Sequence, residues 1–183
     1  MRGVGRQTAG AVRQMIRPIL RYGEQPLHAR AVDVTKFDEE LWRLVDDMIE
    51  TMYGAPGVGL AAPQVGAPLR IFVADVTVGQ RAGNLIVMIN PVFVERDGMQ
   101  LEEEGCLSVP GFNATVVRPA RAVVRGFDRE GNEQTVEARD LLARAFQHEM
   151  DHLDGTVFVD RLRGIKKEII LRKIQKLKRS GRW

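Results

Sequence analysis

Cysteine occurs once in this 183-residue chain, at position 106. No disulfide can form within it, and a reducing compartment suits it. Histidine is nearly as scarce, with only His28, His148 and His152. No apolar run approaches the roughly 20 residues that a membrane-spanning helix needs. No repeat, low-complexity tract or linker divides the chain. Hydrophobic residues make up 44% and charged residues 28%, the balance of one globular domain able to bury its own core. The net charge of +3 is unevenly placed. Residues 161–183 hold ten Lys or Arg against one Glu, so the excess is a basic tail and not a basic domain. That tail lacks the interleaved aromatics of a surface that stacks unpaired bases.

Against this scarcity, two of the three histidines fall four residues apart, in Gln147-His148-Glu149-Met150-Asp151-His152. On a helix they stand on one face about 6 Å apart along the axis, a bite that two imidazoles can close on one metal ion. The His-Glu-x-x-His pattern places Glu149 beside an activated water, where a general base is useful. The local sequence predicts that helix. Asp140 is the expected cap, Gly155 the expected stop, and Leu141, Ala145, His148 and His152 recur on one core-facing stripe.

The rest of the chain reads as α+β. Residues 15–34, broken by Pro18 and Pro26, suggest extended pieces and turns. Thr35 and Asp38 resemble a capping box before a helix whose stripe runs Phe37, Leu41, Leu44, Val45, Met48, Ile49 and Met52, ending before Gly54. Gly57-Val58-Gly59-Leu60-Ala61-Ala62-Pro63-Gln64 matches a dinucleotide fingerprint only formally. A helix precedes it and Pro63 interrupts the helix that the fingerprint requires, so it is read as a glycine-permitted loop or edge segment. Strands are predicted over 70–76, 85–89, 91–95, 120–127 and 134–138, with a hairpin turn at 128–132. The run Glu102-Glu103-Glu104 suggests a solvated face. A basic amphipathic helix closes the chain, with Leu162, Ile165, Ile169, Ile170, Ile174 and Leu177 as its apolar stripe.

A hydrolytic metal site takes three protein ligands and leaves one position for water. A thermolysin-like arrangement draws the third from a downstream glutamate, here only Glu168, beside a lysine on the basic helix. His28 is the one spare histidine. Cys106 is the better candidate, because a thiolate is a strong ligand for a transition metal.

Three separated segments, 57–64, Glu104-Gly105-Cys106-Leu107-Ser108 and His148-Glu149-Met150-Asp151-His152-Leu153-Asp154-Gly155, together resemble the signature motifs of the peptide deformylases. The resemblance spans residues 15–163. It implies antiparallel strands packed around a central metal-binding helix, with a second long helix and a basic C-terminal helix. It also implies hydrolysis of the formyl group from the N-terminal formyl-methionine of nascent polypeptides, releasing formate. Cys106, His148 and His152 would bind one divalent metal, ferrous iron in the first instance, with Zn2+, Ni2+ or Co2+ able to substitute. Glu149 would move the proton of an attacking water, while the Gln64 amide and the backbone N–H of Leu107 would hold the formyl oxygen. Val58, Gly59, Gly105, Leu141, Arg144 and Ala145 would form the substrate-binding surface around methionine. Arg144 departs from the apolar residue expected there, and Phe112 and Asn113 stand where some members carry an arginine.

The resemblance further implies a bacterial cytoplasmic enzyme, with no membrane partner and no sequence-specific nucleic acid. Residues 1–14, with three arginines and no acid, are expected to be a disordered extension, an organellar transit segment being the alternative. The helix over 164–183 either packs by its stripe with a solvated basic face or docks on ribosomal RNA. Two other readings remain: a peptidase that takes Glu168 as its third ligand, and a silent relative that binds the ribosome through its tail.

Overall fold

A computed structural model describes residues 15–183, so the expected extension at 1–14 lies outside the described residues. Helix α1, Glu39–Gly54, starts where the Asp38 carboxylate accepts from the N–H groups of Glu40 and Leu41. Asp38 alone is the cap, in place of the expected Thr35–Asp38 box, and Glu39 and Glu40 suit the positive end of the helix.

Five strands form one antiparallel sheet in the order β1 (Gly59–Ala61), β2 (Ile71–Ala74), β3 (Ile86–Asp97), β6 (Arg121–Phe127), β7 (Glu133–Arg139). The fingerprint-like segment is therefore an edge strand. The strands expected at 85–89 and 91–95 are one, with the ladder breaking register between Ile89 and Val92. Asn90 sits there at φ 51°, and its side chain pairs with both the N–H and the C=O of Val34, at 2.8 and 2.9 Å. The apparent boundary in the sequence is a bulge. The hairpin turn after β6 forms as expected, with the Asp128 carboxylate accepting from the N–H groups of Glu130 and Asn132.

Helix α2, Asp140–Leu153, covers one face of the sheet and α1 the other. Alternation along β2 shows why: Phe72 and Ala74 pack with Phe146, Met150 and Leu153 of α2, while Ile71 and Val73 pack with Leu44, Val45 and Met48 of α1. Asp140 does not cap α2. Arg139 holds the cap position without a side-chain bond, and Asp140 is tied to neighbouring strands, its N–H donating to Ala120 O and its C=O accepting from Gln100 Nε2. Leu141 is also off the expected core stripe, half exposed at the start of the helix. Gly155 does follow the helix at φ 75°, packed against the backbone of His28 and Ala29 so closely that a side chain would collide.

Strands β4 (Gln100–Gly105) and β5 (Asn113–Arg118) form a separate antiparallel ribbon that the sequence patterns do not predict. Ala114 and Val116 of β5 pack with α3 (Phe158–Arg161) and α4 (Gly164–Arg179) in a third cluster. On α4, Ile170 and Ile174 are buried while Ile165 and Ile169 are exposed, a narrower stripe than expected. No helix among the described residues is long and apolar enough to cross a membrane.

Candidate metal centre

Cys106 directly follows β4, and His148 and His152 lie one turn apart on α2. One ligand atom from each of the three lies within 4.8 Å of the others. Cys106 Sγ is 3.2 Å from His152 Nε2. His148 Nδ1 meets Glu104 Oε2 at 3.1 Å, which leaves Nε2 as the ring nitrogen that could take a metal. A carboxylate on the far side of an imidazole is the usual way to fix a ligand's orientation. Neither His28, whose Nε2 accepts from Gly23 N–H, nor Glu168, paired with Arg172 on α4, joins this group.

A thiol and two imidazoles suit a divalent transition metal of the iron-to-zinc series. Donors placed 2.0–2.3 Å from one tetrahedral ion stand roughly 3.5 Å apart, close to the 3.2 Å between Cys106 Sγ and His152 Nε2. Without a cation between them, the two imidazoles are shifted in opposite directions. Burial and the neighbouring His148 charge push His152 well below its ordinary value. Burial works the same way on His148, but the Cys106 sulfur and Glu104 outweigh it and raise that ring.

Glu149 is buried beside the triad, and its Oε2 has no hydrogen-bond partner among the described residues. Burial pushes its carboxyl up to about 7, with the positive charges of His148 and Arg118 pulling the other way. A carboxyl poised near neutrality suits a group that takes and returns a proton. Its other oxygen, Oε1, lies against Gly59. Gln64 is buried as well. Its Oε1 accepts from Ala61 N–H at 2.8 Å, which turns Nε2 toward Ser108 Oγ at 3.2 Å and Cys106 Sγ at 3.6 Å.

A cleft of about 320 Å³ opens on these groups. Val58, Gly59, Gly105, Leu141, Arg144 and Ala145 all lie on its wall, as do Gln64, Leu107 and Glu149. Arg144 adds no free charge there, since its guanidinium is bonded to β4 and β5.

Sequence reasoning misses the buried charges behind the triad. Glu104 accepts from Arg118 Nε at 2.5 Å and Nη2 at 2.7 Å, and from Arg144 Nη1 at 3.0 Å. Arg118 also reaches Asp151 at 2.8 Å, and Arg161 closes on the same carboxylate. The one available signal is position: Glu104 and Asp151 each lie within three residues of a ligand candidate. The segment over 15–31 ties the three motifs together by backbone bonds. Leu20 N–H donates to Gln64 O, Tyr22 N–H to Ser108 O, and Ala31 N–H to Leu153 O, at 2.8 to 2.9 Å.

Known proteins share this sequence and fold. The profile of the polypeptide deformylase family matches residues 16–168. The peptide deformylase of Acidobacterium capsulatum is 47% identical over 169 residues, 92% of this chain and 99% of its own. That of Rhizobium meliloti is 44% identical over 162 residues, covering 88% and 93%. Among solved structures, a peptide deformylase from Legionella pneumophila superposes with a TM-score of 0.85 at 44% identity, over 91% of this chain and 97% of that one. The enzyme from Thermus thermophilus gives 0.80 at 42%, over 88% and 94%. Sequence, fold and the convergence of thiol, imidazoles and carboxyl agree, and the chain belongs to the peptide deformylase family, whose members remove the N-formyl group from nascent polypeptides.

Proposed function

We propose that Cys106, His148 and His152 hold one divalent cation, around which Glu149, Gln64 and Leu107 carry out deformylation of formyl-methionyl polypeptides. The observation that carries this reading is the meeting of one sulfur and two ring nitrogens beside a buried carboxyl with an unpartnered oxygen. A cation in that position supplies Lewis acidity, lowering the pKa of a water toward about 7. Ferrous iron is the proposed occupant, and Zn2+, Ni2+ and Co2+ are alternatives that the same donors accept.

Glu149 takes a proton from the attacking water and delivers it to the nitrogen of methionine as the C–N bond breaks, so that formate and a free amine leave. Gln64 Nε2 and the Leu107 N–H donate to the formyl oxygen as charge collects on it. Each such donor contributes roughly 3 kcal/mol to the transition state. Val58, Leu141, Ala145 and the stem of Arg144 receive the methionine side chain. The edge of β1 at Gly59 and the backbone at Gly105 pair with the peptide as an added strand, which grips the first residue and leaves later ones loosely held. The confined cleft favours formyl over bulkier acyl groups.

Residues 15–163 form the catalytic unit in this reading. Helix α4 turns its basic face to ribosomal RNA, where lysines such as Lys166, Lys173 and Lys176 meet phosphate. The enzyme then works in the bacterial cytoplasm, where formylated chains emerge.

The test is mass spectrometry of a formyl-Met-Ala-Ser peptide incubated with anaerobically purified protein. Loss of the formyl group alone, with formate appearing, is expected. Cleavage at an internal bond would replace this reading with a peptidase, and an unchanged peptide in the presence of one metal per chain would replace it with a binding protein.

A further inference from the structure

Arg144 lies on α2 one turn before His148, and it is only 5% exposed. Its Nη1 donates to Glu104 Oε1 at 3.0 Å, to Glu102 O at 3.2 Å and to Val116 O at 3.4 Å. Its Nη2 donates to Gln100 Oε1 at 2.9 Å. All four acceptors belong to β4 or β5, the ribbon from whose end Cys106 projects. We infer that Arg144 is a positioning residue: its guanidinium clamps this ribbon to α2 and so keeps the sulfur and the two imidazoles of the cation site in register. The inference rests on the reading of Cys106, His148 and His152 as ligands.

The triad is drawn from two separate pieces of structure, so its geometry depends on how they are joined. One tie is the Arg118–Asp151 pair, which connects β5 to α2 on the C-terminal side of His148. The Glu104 contact with the His148 ring and the Gln100 Nε2 bond to Asp140 O also cross between ribbon and helix, each through one bond. Arg144 adds a tie with four acceptors on the N-terminal side of His148, and firm ties on both sides of that ring fix the ribbon's angle as well as its distance. Arg144 also divides the work at Glu104. Arg118 and Arg144 both donate to Oε1, while Oε2 is shared between Arg118 and the His148 ring. Without Arg144, the only arginine on that carboxylate comes from its own ribbon, and the His148 ring alone joins it to α2. The planar fork matters more than the charge, because it reaches carbonyl, carboxylate and amide oxygens at once.

The test compares full-length wild type, Arg144→Met and Arg144→Lys, each loaded anaerobically with Co2+. Arg121→Met serves as a control, since the Arg121 guanidinium also spans several partners, Glu95, Asp97 and Glu137, but at the exposed end of the sheet. Three quantities are read: Co2+ affinity by chelator competition, the visible bands of cobalt bound to thiolate and imidazole, and the unfolding temperature of the metal-free protein.

Arg144→Met is expected to bind Co2+ about 10- to 100-fold more weakly, the range for loss of a group that orients a ligand. Its cobalt bands should shift, Arg144→Lys should recover part of both effects, and Arg121→Met should match wild type. Wild-type affinity and bands in Arg144→Met would overturn the inference. So would an affinity loss that merely follows the unfolding temperature across all variants, which marks a role in folding alone. If Arg144→Met does not fold, Arg144→Lys decides: it keeps the charge but not the fork, and unchanged bands there also overturn the inference. Wild type that takes up no cobalt would instead remove the ligand assignment on which the inference stands.

Discussion

Gly59 and Glu149 compete for one volume: a methyl group on Gly59 would collide with Glu149 Oε1 and lie 2.9 Å from its carboxyl carbon. Gly59 has no positive φ to explain it. The glycine is there for space, and the space belongs to the proposed base. Gly59→Ala should therefore displace the carboxyl while leaving the fold and cation binding intact. Because a misplacement of about 1 Å costs on the order of 100-fold in rate, kcat for formate release should fall by that order. A rate within a few-fold of wild type would show that Glu149 does not need this position.

Cys106→Ala should abolish cation retention and deformylation together. Glu168 cannot replace the sulfur, since its side chain is 62% exposed on α4 and paired with Arg172. Metal analysis of the purified variant checks this, and one tightly held ion per chain would return Glu168 or His28 to consideration.

Phe146 lies on the sheet side of α2, fully buried, with its ring centroid 5.2 Å from that of Phe72. Phe146→Ala removes this contact and leaves a cavity between α2 and the sheet. The expected loss is about 3–5 kcal/mol of stability, read from urea unfolding of the metal-free protein. A loss under about 1 kcal/mol would mean that the helix and sheet close over the gap.

Acid should release the Glu104 network. Burial alone would raise this carboxyl, but the Arg118 fork and the His148 ring hold it down at about 2. A carboxyl that is lower in the folded chain than in the unfolded one binds fewer protons when folded. Its contribution to stability is then complete above its ordinary value of 4.5 and disappears as pH falls toward about 2. Unfolding free energy measured from pH 6 to pH 3 should decline through this window, and Glu104→Gln should flatten that part of the profile. An equally steep decline in the variant would assign the acid sensitivity to other carboxyls.

The sequence exposes the triad because its chemistry is written in rare residues. One cysteine and two spaced histidines stand out against 183 positions. Helix α1 is equally plain, since its buried face repeats at helical spacing. The ribbon is harder to see. Only β5 alternates between buried and exposed; β4 is mostly exposed, and Glu104 and Arg118 take buried positions where apolar groups would be expected. Two buried ions that neutralise each other look like two solvated ones until the chain is folded. Local signals also mislead at the ends of elements. Asp140 carries the residue type of a cap, but its backbone is bonded to Ala120 and Gln100 instead. The bulge at Asn90 is likewise hidden, because its side chain answers to Val34, far away in sequence.

The segment over 15–31 bonds to all three motifs, and this has a consequence for the order in which the molecule can be assembled. Synthesis runs from the N-terminus, so these residues leave the ribosome before any of their acceptors exist. Gln64 arrives first, then Ser108, and Leu153 only when most of the chain has been made. The segment is thus fastened in stages, and fully only once Leu153 is out, because long-range pairing must await its partner. An enzyme whose task is to meet chains as they emerge has its own site locked only after its final motif has emerged.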